Sequence, residues 1–490
     1  MFLFVAAAPN SIAATQISWM LGMLFWLLRF FVWPRPTLYR TPIDYPMFAF
    51  FLLTALSSFL SYEPMVSIGK LRAASLFLIV YLFAENVRSR TILAALTFVF
   101  LAATMVNVLF TFGKLAVGRG VKVYGVAENS PLAGARMASR TSNKSVPILS
   151  GDTIEQVDGQ SVSSADEIVT ALDQSADREA ARIQIYRVEW IGQLELPRGS
   201  LLPGASAEER LGIQRWAHGR DRRATGFYDH WITYAESLQL IGSLTLGLLL
   251  SLPQKRNRYG LLLGLTLAGI CGALLLSVTR ASWLSFLVSA ILIAAFSLRR
   301  RTLIVVGACL IPIILGGLFL LHQKRQVGFF DQKDDSIAWR GKIWREGFQL
   351  LTSNPRHLAV GIGMDSIKAN WRRWDLFEGG KLPMGHMHSD YLQIALERGV
   401  PTLIAWLILL GTYGWTLWRT RGRVPPGDWI ERGIVLGALG GLLGFMCSGV
   451  VHYNWGDSEI VMIFYLIMGL SLVVERHSRL STQSAERTTA

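Results

Sequence analysis

The segment KLPMGHMHSDYLQIALERGVPTLIAWLILL, residues 381–410, places titratable side chains directly before an apolar run. His386, His388 and Asp390 occupy every second position, and Glu397 follows them within the same segment. The residues after them are of the kind that contacts lipid in membrane helices. The segment therefore indicates a membrane protein that holds polar chemistry at the edge of the bilayer.

Local signals divide this segment into two helices. We expect Ser389 to cap a short helix that ends at Gly399, and Pro401 to begin a membrane helix, where its missing N–H costs nothing. His388 then lies just before a helix N-terminus, whose positive end disfavours an imidazolium. We predict a neutral His388 that can serve as a general base. The alternative is an interfacial histidine that only hydrogen-bonds a carbonyl.

The composition indicates a chain that crosses the bilayer many times. Of its 490 residues 51% are hydrophobic, and the mean hydropathy of +0.37 is too high for an ordinary soluble protein. We expect an all-α polytopic membrane protein of about 11–12 transmembrane helices. Eleven apolar runs predict the spans: 17–33, 45–62, 68–85, 91–113, 231–252, 259–279, 281–298, 302–321, 400–418, 430–451 and 458–474. Residues 2–14, broken by Pro9, form a stub that is either a twelfth span or an interfacial piece.

The basic residues predict the orientation of the chain. The formal net charge is +14, but much of the excess lies in short clusters between apolar runs, which indicates topology rather than nucleic-acid binding. The clusters share one side if the spans alternate: Arg35 and Arg40, Arg88 and Arg90, Lys255, Arg256 and Arg258, Arg299 to Arg301, Arg419, Arg421 and Arg423, and Arg476 and Arg479. The positive-inside rule places them and the C-terminus in the cytoplasm.

The predicted spans divide the chain into five parts. They are N-terminal transmembrane helices (1–113), an outer segment (114–229), central transmembrane helices (230–321), an outer loop expected to carry the chemistry (322–399), and C-terminal transmembrane helices with a cytoplasmic tail (400–490). The three cysteines lie far apart in apolar runs, so the sequence offers neither a disulfide framework nor a thiolate metal site.

The outer segment 114–229 contains a small domain of its own. VYGVAENSPLAGA, ILSGDTIEQVDGQSVSSADEIVTALDQ and ARIQIYRVEW predict strands, turns and one helix, which Ser164 can cap. The spacing of SPLAGA and SGDTIEQVDGQSV resembles that of a PDZ domain over roughly residues 118–198. The resemblance implies a small α/β insert, which we expect to dock a protein partner or act as a scaffold rather than to bind peptides.

Two arginines occupy positions where a positive charge is costly unless it faces a cavity or an anion. Arg280, in LLLSVTRASWLSFLV, interrupts two apolar runs on the outer side, and its alternative role is that of a snorkelling residue at a turn. Arg340 lies on a helix predicted from DDSIAWRGKIWREGFQLL, and its alternative is a surface charge. Arg223, Glu236 and Asp390 are further candidates for binding substrate; ordinary helix-end solvation is the alternative for Glu236.

Five stretches, in this order and on this topology, resemble the O-antigen ligase and polymerase family of bacterial envelope glycosyltransferases. They are RRATGFYDHWITYAESL, TRASWL, SIAWRGKIW with NPRHLAVGIGM, HMHSDYLQIALERGVPTLIAWL, and VHYNWGDSEIVMIFYLIMGL. The resemblance covers most of the predicted membrane part and does not extend to the PDZ-like domain. It implies a GT-C-like fold in the bacterial inner membrane, with a periplasmic active site.

The resemblance also implies the chemistry. An enzyme of this family takes a glycan from undecaprenyl diphosphate and passes it to a sugar hydroxyl of lipid A–core, with no metal and no other cofactor. The essential basic residues of the family correspond to Arg280, Arg340 and His388, and His386 completes the His-x-His pair. Guanidinium groups suit the diphosphate leaving group, and a single displacement assisted by His388 as base inverts the anomeric centre.

Other functions remain open at the level of the sequence. A glycan polymerase or a protein O-oligosaccharyltransferase uses the same lipid donor with a different acceptor. A transporter is expected to show internal repeats and charged or broken helices at the midplane, and we find no convincing repeat. A scaffold would depend on the PDZ-like domain. A zinc protease of the His-Glu-x-x-His type is excluded, because the chain contains no such string.

Overall fold

The computed structural model describes residues 1–36, 38–137, 145–174, 179–187, 190–303, 315–316, 319, 335–381 and 384–489. The chain forms two compact units, and each is described by itself. Unit 1 comprises Met1–Val108 and Thr225–Ala490, and unit 2 comprises Leu109–Ala224.

Helices dominate unit 1. Their bounds are α1 Phe2–Ala7, α2 Ile12–Leu28, α3 Asp44–Phe59, α4 Pro64–Ala74, α5 Leu78–Asn86 and α6 Arg90–Val117, which runs on into unit 2. Two helices of unit 2 are α7 Ala165–Asp173 and α8 Ala207–Leu211. Unit 1 continues with α9 Trp231–Ser251, α10 Arg258–Leu276, α11 Arg280–Ser297, α12 Asp335–Thr352, α13 Pro355–Val360, α14 Ser366–Asn370, α15 Leu376–Gly380, α16 Asp390–Arg398, α17 Val400–Arg423, α18 Trp429–Ser448 and α19 Ser458–Thr489.

The chain is a multi-pass membrane protein. Within the described ranges, eight helices are long and apolar enough to cross a membrane: Ile12–Phe31, Pro64–Asn86, Arg90–Val117, Arg258–Leu276, Arg280–Ser297, Val400–Arg423, Trp429–Ser448 and Ser458–Gln483. Each coincides with a predicted span. The predicted spans 45–62 and 231–252 correspond to the shorter apolar helix α3 and to α9. The predicted span 302–321 lies mostly outside the described residues.

The N-terminal stub is a short helix packed into unit 1. Helix α1 has six residues, which at 1.5 Å per residue is roughly 9 Å and too short to span a bilayer. Phe4 and Val5 are fully buried. Asn107 of α6 donates a side-chain hydrogen bond to the carbonyl of Pro9. The interfacial alternative therefore describes the stub better than a twelfth span.

The centre of unit 1 is a close packing of α9 against α11 and α18. Glycines allow it, because a Cβ at Gly247 would lie 2.4 Å from the carbonyl oxygen of Gly433. A Cβ at Gly437 would likewise lie 2.5 Å from the Cα of Leu244. Small residues of this kind let the backbones of membrane helices approach each other. The polar groups described below lie at one end of this helix packing.

The local structure predicted for residues 389–401 is confirmed. The hydroxyl of Ser389 accepts a hydrogen bond from the amide of Leu392 and caps α16, which ends at Gly399 with φ of +83°. Pro401 lies in the first turn of α17. A residue with a Cβ rarely adopts that φ, so the glycine permits the turn between α16 and α17.

Unit 2 contains an antiparallel sheet together with the helices α7 and α8. The strands are β1 Val121–Tyr124, β2 Arg136–Met137, β3 Thr153–Val157, β4 Gln160–Ser161, β5 Ala180–Arg187, β6 Trp190–Pro197 and β7 Arg215–His218, in the order β2-β6-β5-β3-β1-β7 with β4 beside β3. Ser164 caps α7 as predicted, because its hydroxyl accepts from the amide of Glu167. This agrees with a small α/β insert, whereas its PDZ-like character and its partner remain predictions.

Candidate active site

His388 occupies an unusual backbone conformation just before α16. Its φ is +49°, a left-handed value that side chains other than glycine adopt at a cost of about 1–3 kcal/mol and that is concentrated at functional sites. The amide of His388 donates to Nδ1 of His386 at 3.3 Å, and the two ring centroids lie 4.1 Å apart. The His-x-His pair predicted from the sequence is thus one compact unit.

Aromatic residues of α12 hold the loop that carries His388. The indole of Trp339 meets the imidazole of His388 edge to face, with ring centroids 5.3 Å apart. Trp344 Nε1 donates to the carbonyl of Met387 at 2.8 Å. Gly347 leaves room for this loop, because a Cβ there would lie 2.9 Å from the sulfur of Met387. Helix α12 therefore fixes both the backbone and the ring of the histidine.

Both histidines are neutral. The pKa of His388 is lowered to about 2, first because burial disfavours the imidazolium and then because His386 and Arg340 lie nearby. Burial, followed by the charge of Lys368, lowers the pKa of His386 to about 4. The neutral state expected for His388 is confirmed, with burial as its largest cause. Nε2 of His388 is enclosed and has no hydrogen-bond partner among the residues that the structure describes.

The structure brings Arg340 to His388 by way of α12. Arg340 is half-buried and follows Trp339 directly in the sequence, and its charge contributes to the lowered pKa of His388. Arg280 is the first residue of α11 and is also half-buried. The turn before it contains Val278 with φ of +52°, which is exceptional for a β-branched residue. Arg280 thus starts its helix from a strained turn at the end of α10.

Glu236 is the centre of a buried hydrogen-bond network. Its side chain in α9 is fully buried. Oε1 accepts from the hydroxyl of Ser282 at 2.8 Å and from Nδ1 of His452 at 2.8 Å. Oε2 accepts from Nδ2 of Asn454 at 3.1 Å. The network joins α9, α11 and the connection between α18 and α19. Glu236 is therefore not a solvated residue at a helix end, and that alternative is wrong.

Asp390 ties α16 to that same connection. Its amide donates to the carbonyls of Gly449 at 2.7 Å and His452 at 3.0 Å. Its Oδ1 accepts from the amide of Trp455 at 2.8 Å. The side chain is fully buried, and burial raises the pKa of its carboxyl well above the usual range. Asp390 is therefore placed to fix the position of α16, and with it His388.

Sequence reasoning missed two members of this network, His452 and Asn454. Both are buried. They lie in HYNWGD, a polar stretch between two apolar runs. This polar interruption is the sequence signal that could have indicated them as site residues. Arg223, by contrast, belongs to unit 2, where its amide donates to the hydroxyl of Tyr186 at 3.2 Å. Its role in binding substrate remains a prediction.

A polar cavity of about 420 Å³ opens beside the histidine pair. His386 lines it together with Tyr453, whose ring centroid lies 5.8 Å from that of His386. The other charged side chains that line it are Lys70, Asp365, Lys368, Glu397, Arg398, Asp457 and Glu459. From the sequence, Asp457 at an outer span end was considered as a residue that orders the site or binds sugar, and the other six were not predicted as site residues. The volume falls within the range typical of small-molecule sites.

Residues 263–407 match the family described as O-Antigen ligase. The matched segment runs from within α10 into α17 and contains Arg280, Arg340, His386, His388 and Asp390. No curated protein matches the chain. The match supports an enzyme of the glycan ligase or polymerase type. Residues 263–407, which contain most of the candidate site residues, are therefore similar to the O-antigen ligase family.

Proposed function

We propose that this protein is an O-antigen ligase of the bacterial inner membrane. It transfers a glycan from undecaprenyl diphosphate to a sugar hydroxyl of lipid A–core, without a metal, and inverts the anomeric centre. The site opens to the periplasm, and the C-terminus is cytoplasmic. The observation that best supports this proposal is the environment of His388. Its imidazole is neutral and lies near Arg340, within the segment that matches the O-antigen ligase family. Among the described residues its Nε2 has no hydrogen-bond partner.

The transfer is a single displacement. The acceptor oxygen attacks the anomeric carbon, the bond from that carbon to the diphosphate oxygen breaks, and the hydroxyl proton passes to His388. Positioned general bases of this kind contribute about 10²–10⁴-fold in rate. One displacement reverses the configuration at the anomeric carbon. The undecaprenyl diphosphate leaves as an anion.

The arginines stabilise that anion. Guanidinium carries a permanent charge and a planar fork of donors that matches phosphate oxygens. Arg340 lies near His388, and Arg280 begins α11 with its neighbour Ser282 bonded to the Glu236 network. In a site partly closed to water such charges act strongly on the developing negative charge.

We infer that the bound donor makes His388 a stronger base. An imidazole with a pKa of about 2 accepts protons poorly. A bound diphosphate next to His388 and Arg340 places negative charge near the ring, which favours the imidazolium and raises the pKa. His388 thus becomes an effective base only with the donor in place. Glu236 and Asp390 act through position, and His386 orients the backbone of His388.

Transfer by the purified protein in detergent tests the proposal. The assay supplies an undecaprenyl-diphosphate glycan and lipid A–core, with and without EDTA. We expect product in both, and a loss of more than about tenfold in Arg340→Gln, since charge on the leaving group is then unbalanced. Arg345→Gln, an exposed arginine on the same helix, is the control. Longer glycans from the donor alone would identify a polymerase, and absence of transfer to any acceptor would reject the proposal.

A further inference from the structure

Arg398 is a buried cation on the wall of the cavity described above. It is the last residue of α16, and its side chain is 6% exposed. Its guanidinium lies over the ring of Phe50, at 5.6 Å from the centroid. Among the residues that the structure describes, its Nε and Nη1 have no hydrogen-bond partner, and no carboxylate lies within salt-bridge distance of it. Burying a charge with so little compensation is costly.

Burial favours the protonated form of two acids on the same helix as Arg398. Asp390, about two turns before it on α16, has a carboxyl whose pKa is raised well above its usual range by burial. Burial likewise raises the pKa of Glu397 to about 7. The carboxyl of Glu397 accepts from the amide of Asp365 at 2.8 Å and from the hydroxyl of Tyr453 at 3.4 Å. Its oxygens are therefore engaged elsewhere.

Two lysines in the cavity lining add further positive charge. Lys70 and Lys368 share a single carboxylate, that of Asp365, at 2.7 and 3.2 Å. Two cations against one anion leave an excess positive charge. The remaining acids, Asp457 and Glu459, lie together at the start of α19, where Asp457 accepts from the hydroxyl of Thr233 at 2.5 Å and from the amide of Glu459 at 3.1 Å. The lining thus separates a cationic part from an acidic part.

We propose that this cavity binds the anionic substituent, carboxylate or phosphate, of a sugar residue of the substrate, and that Arg398 is the residue that recognises it. The anion supplies the counter-charge that Arg398 lacks. The adjoining Tyr453 and Trp455 provide aromatic surface for the sugar ring. That the ligand is a sugar of the substrate rests on the proposed function. That the cavity recognises an anion rests on the structure of the cavity alone.

Binding of free sugars to the purified full-length protein tests this directly. The probes are glucuronic acid, glucose 6-phosphate, glucose and glucosamine, compared by ligand-observed NMR in the absence of lipid donor. We expect glucuronic acid or glucose 6-phosphate to bind at least about tenfold more tightly than glucose, since a buried charge pair discriminates by that much or more. The better of the two identifies the anion as carboxylate or phosphate. Preference for glucosamine, or no preference, would overturn the proposal.

Variants separate recognition from a structural role. Arg398→Gln should abolish the preference for the acidic sugar, and Arg398→Lys should retain part of it. Arg356→Gln is the matched control, because Arg356 also lies over an aromatic ring, that of Tyr62 at 4.2 Å, and does not line the cavity. We expect the unfolding midpoint of Arg398→Gln without ligand to be unchanged or higher, since an uncompensated buried charge is removed. A lower midpoint with the preference intact would show that Arg398 is structural.

Measuring sugar binding also distinguishes the anion-site proposal from the ligase proposal. Sugar binding needs no lipid donor and no transfer. If the wild-type protein transfers no glycan but still prefers the acidic sugar through Arg398, the anion site stands and the proposed ligase activity fails. If transfer occurs and the preference is absent, the ligase proposal stands and the anion site is rejected.

Discussion

The indole of Trp339 packs edge to face against the imidazole of His388, with ring centroids 5.3 Å apart. The contact joins α12 to the loop before α16, two elements that are far apart in the sequence. It covers the ring on one side and contributes to the burial that lowers the pKa of His388 to about 2. Both the pKa and the position of His388, the proposed base, thus depend on Trp339.

Replacement of Trp339 tests that dependence. Trp339→Ala removes the wall against which the imidazole packs, so we expect the transfer rate to fall by about tenfold or more, because small losses of alignment are expensive in catalysis. The pKa of His388, followed by NMR of labelled histidine, should rise as water reaches the ring. Trp339→Phe keeps an aromatic edge and should lie between the two. An unchanged pKa in Trp339→Ala contradicts this explanation.

Asp390 allows a test that separates charge from position. Burial raises the pKa of its carboxyl well above the usual range, which favours the protonated acid, and a neutral amide resembles that form closely. We expect Asp390→Asn to keep most of the transfer activity, since an amide oxygen can still accept from the amide of Trp455. Asp390→Ala loses that bond and should lose most of the activity. Equal loss in both variants would mean that an ionised Asp390 is required.

The network around Glu236 predicts a stability effect. Glu236→Gln replaces one acceptor oxygen by a donor facing Ser282, His452 or Asn454, so one buried donor is left unpaired, at a cost of about 1–3 kcal/mol. The unfolding midpoint should fall, and the transfer rate with it. Glu63→Gln is the control, because within the described part of the chain its carboxyl accepts one hydrogen bond, from Asn370 at 2.9 Å. If Glu236→Gln is as stable as Glu63→Gln, Glu236 is not the centre of the network.

Glu397 predicts a dependence of stability on pH. Its pKa is about 7 in the folded chain against an ordinary value of 4.5. Between these values the folded chain holds a proton that the unfolded chain has released, so stability falls as pH rises. The free energy of unfolding of Glu397→Gln minus that of wild type should therefore increase with pH, by up to about 3 kcal/mol above pH 7. His386 and His388, whose lowered pKa values act in the opposite direction, cancel in this difference. A difference that does not vary with pH contradicts the prediction.

The helices around the site were predictable because their signals are local. Ser389, Gly399 and Pro401 each act within a few residues, through a cap, a left-handed turn and a missing N–H. The neutral state of His388 was predictable in direction, from the adjacent helix N-terminus. Its main cause, burial against α12, was not predictable, because it requires knowing which distant segment covers the ring.

The polar network was beyond sequence reasoning for the same reason. Glu236 and His452 are separated by 216 positions, and nothing in either segment specifies the other as its partner. The left-handed backbone of His388 gave no signal either, because such a φ usually indicates glycine or asparagine. Arg398 is a third case. In the sequence it is one charge at a helix end, where a cation is ordinarily favourable. Only the structure shows that, among the described residues, no carboxylate forms a salt bridge with it.

The most direct test of the central claim is the transfer rate of His388→Gly, with and without added imidazole. Glycine accepts the φ of +49° without strain and leaves a space of the shape of the lost ring, so the loop should keep its conformation. We expect the rate to fall by about 10²–10⁴-fold and to recover in part as imidazole is added. His218→Gly, an exposed histidine of unit 2, should show neither effect. Transfer by His388→Gly at the wild-type rate, without imidazole, would show that His388 is not the base.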